Sequence, residues 1–207
     1  MKKMLSVLLA IMMIATLALT GCGQNNDPTP DPAPATRTFT DSLGREVTLP
    51  ANLSKIAISG PLAQIVVFAI APEMMVGIAN GWADEAKGLI PDEYYNLPLL
   101  GQLYGGKGEL NLETLLQSGA EVVIDVGEQK DGMADDLNAL QEQTGIPFVH
   151  IDCYTDSMGD TYRTLGTLLG KETEGNTLGE YCDKIYNRTN EIAASVEKVN
   201  LLYCLGD

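Results

Sequence analysis

Few residues in this sequence could do chemistry. His150 is the only histidine among 207 residues, which excludes a zinc site built from several histidines. Asp152 and Cys153 follow it closely, so a His–Asp–Cys set is one reading. Pro147–Ile151 reads as a strand, and alternation puts His150 and Asp152 on one face of it, not around one point. A histidine satisfied at a strand end fits that pattern better than a metal ligand or a general base. The run Gly101-Gln102-Leu103-Tyr104-Gly105-Gly106-Lys107-Gly108 nearly spells a phosphate-binding loop. However, Gly108 stands where Ser or Thr should hold magnesium, and no clear strand feeds the run. With one histidine and no nucleophile elbow, the sequence reads as a non-enzyme without a resident cofactor or metal.

A different chemistry is marked at Cys22. Lys2 and Lys3 precede an apolar run from Met4 to Leu19, and Leu19-Thr20-Gly21-Cys22 follows. A positive start, an apolar stretch and small residues at its end make an export signal. The run is also short for a membrane span of about 20 residues. The pattern resembles a bacterial lipobox. That resemblance implies removal of residues 1–21, a lipid such as palmitate on the Cys22 sulfur, and attachment to the extracytoplasmic face of the cell membrane. An uncleaved anchor or an ordinary signal peptide is the alternative. Residues 22–36 are rich in proline, cannot form a core and read as a flexible spacer.

The remainder has the composition of a packed α/β protein, with 45% hydrophobic residues. Its formal net charge is −15, more negative still once Lys2 and Lys3 leave with the export signal. Such a surface repels nucleic acid and anionic lipid headgroups. Cys153, Cys182 and Cys204 accompany Cys22, an odd set that does not spell a disulfide framework. They read as small buried residues, with a Cys182–Cys204 bridge as the alternative.

The elements that must position these residues follow from periodicity and punctuation. Arg37–Thr40 and Arg45–Leu49 flank Asp41-Ser42-Leu43-Gly44 and predict a β-hairpin. Lys55–Ser59 predicts a strand, and Gly60-Pro61 opens an apolar helix through Ile70. Met74–Ile78 reads as another strand, followed by a long loop through Trp82, Pro91 and Pro98. Asn111 caps a helix over Leu112–Gln117, and Glu121–Val126 is an apolar strand. Met133–Thr144 is helical by its three- and four-residue spacing, and Pro147–Ile151 is a strand. Ser157–Leu169 is a helix stopped by Gly170. Thr177–Val196 is a longer helix with an apolar stripe of Leu178, Tyr181, Cys182, Ile185, Ile192 and Val196. Leu201–Leu205 reads as a further strand, the opening of a domain that the chain does not contain. Alternating strands and helices imply an α/β fold with a mostly parallel sheet flanked by helices.

Two stretches within this order resemble a known family. They are Thr40-Asp41-Ser42-Leu43-Gly44-Arg45-Glu46-Val47-Thr48-Leu49-Pro50 with Lys55-Ile56-Ala57, and Gly108-Glu109-Leu110-Asn111-Leu112-Glu113-Thr114-Leu115-Leu116 with Ala120-Glu121-Val122-Val123-Ile124. Behind a lipobox and before one long helix, they resemble the N-terminal lobe of class III substrate-binding lipoproteins. These serve ABC importers for ferric siderophores, haem and cobalamin. The resemblance covers roughly Thr38 to Asp207. It implies an N-terminal substrate-binding lobe over residues 37–176, an interlobe helix over 177–198, and the start of a truncated second lobe at 199–207.

The same resemblance implies partners and sites. The partners are the membrane subunits of an ABC permease and a small metal chelate, namely a siderophore, haem or a corrinoid. Glu113 matches the acidic residue with which the first lobe docks on the permease; as a helix N-terminal acid it also complements the helix dipole. Ligand sites of parallel sheets lie beyond the C-terminal strand ends, which singles out Ser59, Pro61, Trp82, Glu128 and Tyr154. Tyr104 and Lys107 join them from the glycine-rich run. Trp82, Tyr104 and Tyr154 could stack on a flat ligand, and Lys107 could pair with an anionic one; loop packing and a solvated lysine are the alternatives. Other readings of the whole are a one-lobed surface interaction lipoprotein and a defective truncated receptor.

Overall fold

The computed structural model describes residues 35–104 and 109–203. The expected export signal, Cys22, most of the expected spacer, Lys107 and Cys204 lie outside the described residues.

The predicted hairpin forms. Strand β1 (Thr36–Thr40) pairs antiparallel with β2 (Glu46–Pro50), with Thr38 opposite Thr48. Along β2, Val47 and Leu49 are buried while Glu46 and Thr48 are exposed, as a strand with one wet face requires. Asp41 makes the turn: its Oδ1 accepts the N–H groups of Leu43 (3.1 Å) and Arg45 (2.9 Å). Gly44 supplies the left-handed backbone, with φ of 77°.

Three parallel strands form the central sheet: β3 (Ile56–Ile58), β4 (Val122–Gly127) and β5 (Phe148–Asp152), in the order β3-β4-β5. Helices cover both faces. On one face α1 (Pro61–Ile70) and α5 (Met158–Leu169) pack on Ile56, Ile58, Ile124 and Ile151. On the other, α3 (Leu112–Ser118) and α4 (Met133–Thr144) pack through Leu115, Met133 and Leu137 on Ala57, Val123 and Phe148. Each such buried aliphatic or aromatic side chain contributes about 1.5–3 kcal/mol relative to exposure. Burial on both faces explains why β4 reads as apolar at successive positions.

The hairpin turn also covers the β5 edge. The Ser42 N–H donates to the His150 carbonyl (3.0 Å), and the Asp152 N–H donates to Ser42 Oγ (2.9 Å). Backbone groups that would otherwise offer a free strand edge are thus satisfied.

Helix α6 (Glu172–Ser195) has 24 residues and is about 36 Å long. It starts five residues before the predicted helix and ends close to where expected. Close packing of α5 on α6 rests on glycines: a Cβ on Gly175 would lie 2.6 Å from the Tyr162 carbonyl oxygen and 2.9 Å from Gly166 Cα.

Elsewhere the structure departs from expectation. Met74–Ile78 is not a strand: Pro72–Met74 forms a 3-10 turn, and Met75 and Ile78 make only single bridges, to Ile56 and Leu99. Within it the Val76 N–H donates to the Ile56 carbonyl (2.9 Å) and the Ile78 N–H to the Pro98 carbonyl (2.8 Å), and just beyond it Gln64 accepts the N–H groups of Ala79 (2.8 Å) and Asn80 (3.1 Å). The following loop also has structure of its own, a 3-10 turn at Asp84–Ala86 and a single helical turn, α2, at Asp92–Tyr95. Of the expected strand Leu201–Leu205, residues Leu201–Tyr203 are irregular and exposed, and residues 204 and 205 lie outside the described residues. The stripe of α6 also divides. Leu178 and Cys182 pack on the core, whereas Tyr181, Ile185, Ile192 and Val196 are exposed among the described residues.

Candidate functional site

The sheet places a row of polar side chains on the face that carries α3 and α4. Period-2 alternation continues Ala57 to Ser59, Val123 to Asp125, and Phe148 to His150 and Asp152. Register does the rest, since Asp125 pairs with His150 across β4 and β5. The Ser59 N–H donates to the Ile124 carbonyl, which sets Ser59 beside Asp125. Three residues far apart in sequence thereby lie side by side at the C-terminal ends of three strands.

They are linked by hydrogen bonds. The Ser59 hydroxyl donates to Asp125 Oδ1. His150 Nδ1 lies 2.6 Å from Asp125 Oδ2, and Nε2 lies 3.1 Å from Asp152 Oδ1. Gln129 Nε2 donates to Asp152 Oδ2 (2.9 Å) and to the Ser42 carbonyl (2.9 Å). Every buried polar side-chain atom among the described residues has a partner.

Above this row opens a cavity of about 370 Å³. Ser59 and Asp125 belong to its lining, Pro61 and Leu62 bring the start of α1, and Met133 brings the start of α4. Tyr104, Glu128, Lys130 and Cys153 complete the wall. Lys130 Nζ sits 4.4 Å from the centre of the Tyr104 ring, a cation–π contact. The Tyr104 hydroxyl meets Asp136 at 3.4 Å. Burial, then the charges of Asp136 and Asp125, push its ionisation up to about 12, so it stays neutral. Burial likewise raises the Cys153 thiol, leaving it protonated and inert.

Four of the residues singled out from sequence meet here: Ser59, Pro61, Tyr104 and Glu128. Trp82 does not join them. It packs on Phe68, with ring centroids 5.1 Å apart, and its indole N–H donates to the Tyr94 carbonyl. An indole satisfied by backbone and packed against Phe68 at a tilt pins the loop that carries it. Tyr154 is exposed and also stands outside the wall. Glu113 lies away from the cavity, exposed in the first turn of α3, where the Asn111 side chain caps the Thr114 N–H at 3.0 Å. His150 and Asp152 share one face of β5, as alternation predicts, and are in direct contact because the imidazole reaches along that face. Cys153 points to the opposite face, so no His–Asp–Cys set forms.

Asp125 was not singled out from sequence, although it is the one charged residue in an otherwise apolar strand. A buried acid there demands partners, and Ser59 and His150 supply them. Among the described residues, no group of three or more His, Cys, Asp or Glu side chains could hold a metal ion.

The fold, a parallel sheet with helices on both faces, is shared with about half of several solved solute-binding proteins. An ABC transporter solute-binding protein from Sulfurospirillum deleyianum superposes with a TM-score of 0.67 at 21% identity, covering 78% of this chain and 50% of that one. The molybdate periplasmic binding protein MolA of Haemophilus influenzae gives 0.57 at 18% identity, covering 77% and 53%. The haem-binding protein HmuT gives 0.54 at 18%, covering 81% and 52%. This chain thus spans about half the length of the solved structures it matches. No protein-family model and no curated protein sequence matches it.

Proposed function

We propose that this chain belongs to an extracytoplasmic, lipid-anchored solute receptor of an ABC importer. The observation that carries the reading is the cavity of about 370 Å³ at the C-terminal ends of β3 and β4, on a lobe with the fold of ABC transporter solute-binding proteins. Such strand ends are where open parallel sheets bind ligands. The solute is an iron chelate, haem or a corrinoid, the cargo implied by the sequence resemblance. Binding needs no chemistry of the protein's own, in keeping with the protonated Cys153 and neutral Tyr104. Cys22 carries the lipid, and Glu113, exposed and remote from the cavity, docks on the permease.

The test is a calorimetric titration of the full chain with haemin, a ferric hydroxamate siderophore and cobalamin, alongside a Glu128→Arg variant. Saturable binding of one of the three is expected, with the variant changing affinity by tenfold or more. No binding by any of them, or a variant indistinguishable from wild type, would overturn the reading. In cells, Glu113→Arg should abolish uptake of the bound solute and leave its affinity intact. Uptake at the wild-type rate would remove the docking role.

A further inference from the structure

The floor of the cavity has an unusual proton inventory. His150 is wholly buried, yet both of its ring nitrogens face carboxylate oxygens, Asp125 Oδ2 at 2.6 Å and Asp152 Oδ1 at 3.1 Å. A neutral imidazole has one N–H and one bare lone pair. In this position the bare nitrogen would point its lone pair at a carboxylate, in a place closed to water. An imidazolium donates to both oxygens.

The alternative is a proton on one of the acids, and the greater basicity of an imidazole than of a carboxylate argues against it. Gln129 is oriented by its bond to the Ser42 carbonyl, which can only accept, so its amide nitrogen also donates to Asp152 Oδ2. Asp125 Oδ1 accepts from the Ser59 hydroxyl. The outer oxygen of each carboxylate is thus held by a donor, which leaves the inner oxygen to the ring. The other charges nearby are engaged elsewhere. Asp41, from the hairpin turn, accepts the His150 backbone N–H (3.3 Å) and is paired with Arg45. Tyr104 turns its hydroxyl to Asp136, and Lys130 lies over the Tyr104 ring.

We propose that His150 is a doubly protonated cation and a positioning residue of the cavity floor. It holds Asp125 in a single orientation, with Ser59 on the other oxygen, and cancels its charge. A solute then meets a compensated carboxylate beside a hydroxyl, not a bare buried anion. The role rests on the cavity being the solute site, but its test requires no solute.

Because His150 is the only histidine, the 15N-labelled full chain gives one imidazole spin system that needs no assignment. Long-range proton–nitrogen spectra at neutral pH should show a directly bonded proton on both ring nitrogens. The Asp125 carboxyl carbon should resonate as an ionised group. In Asp152→Asn, with an unchanged circular dichroism spectrum, one nitrogen should lose its proton. A wild-type ring with one bare nitrogen, a protonated Asp125, or an Asp152→Asn ring that keeps both protons would each overturn the proposal. Should the variant fail to fold, the wild-type spectrum decides alone. A neutral ring would leave the solute titration untouched, and a failed titration would leave this spectrum unchanged, so the two readings fail separately.

Discussion

Asp41 holds the hairpin turn, the β5 edge and an arginine at once. Its side chain is fully buried and Arg45 nearly so, with Arg45 Nη2 at 2.6 Å from Oδ2. Arg45 continues to the Phe148 carbonyl (2.7 Å) and to Asn138 on α4 (2.9 Å). Removing one member of such a pair leaves the other buried without a counter-charge, which costs about 3–5 kcal/mol. Asp41→Ala should lose about that much in denaturant unfolding, and a loss under 1 kcal/mol would mean the pair is not buried in solution. Glu121 offers a gentler example. Burial alone would raise its carboxyl, but the Ser54 and Lys55 N–H donors (2.6 and 3.0 Å) and the Lys55 charge outweigh it and hold it below its ordinary value. A lowered folded value means stability is fully present above the ordinary glutamate value of about 4.3 and is lost as pH falls through the folded one. Glu121→Gln should therefore be less stable than wild type at neutral pH and show a shallower loss below about pH 4.3. Parallel acid limbs for the two proteins would contradict the assignment.

Between elements, the contact of α5 with α6 depends on the absence of side chains. Gly166 and Gly175 face each other closely enough that a Cβ on either would meet backbone under 3.0 Å away. Backbone cannot swing aside as a side-chain tip can, so Gly175→Ala must push the helices apart. A cost of about 1–3 kcal/mol is expected from overpacking. Gly145 is a useful contrast: it ends α4 at φ of 70° with open space around its Cβ position. Its replacement by Ala meets only the left-handed backbone penalty, about 1–2 kcal/mol. Thermal or denaturant unfolding of the pair separates the mechanisms, because only Gly175→Ala should also reduce amide protection along both helices. Equal protection in both variants would show that the helices tolerate the methyl group. Periodicity alone could not reveal this, because glycines inside a helical pattern read as weaknesses until the facing helix is known.

Across the molecule, the described part of α6 is uneven. Its first half is seated on the lobe through Gly175, Leu178 and Gly179, while Ile185 and Ile192 remain 45% and 49% exposed. An apolar groove of about 360 Å³ runs between Ile185 and Met158, walled by Tyr181 and Cys182. If that face is uncovered in the protein, Ile192→Lys should change stability by no more than about 0.5 kcal/mol. A loss above about 2 kcal/mol would show that the native protein buries it. The solved structures of this fold are about twice as long as the chain.

Much of the element order was legible in the residues themselves. Asp41 and Gly44 specify the hairpin turn, Pro61 starts α1, Asn111 caps α3, and Gly145 and Gly170 stop α4 and α5, because each effect acts within a turn or two of chain. Alternation even indicates which strand face carries Ser59, Asp125 and His150. It does not say that they stand in one row. Their sequence separations of 66 and 25 residues leave the relative slide of three strands free, and only the packed sheet sets that register. The failed strand at Met74–Ile78 has the same origin, since its β-rich composition is local while its backbone partners, Ile56 on one side and Pro98 on the other, come from separate segments. Trp82 was an attractive cleft residue by type, and only the packing of Phe68 and Tyr94 decided that its ring is structural. Local backbone chemistry thus lies within the sequence's own reach. Side-chain company at the candidate site is decided by which distant strands the hydrophobic core brings into contact.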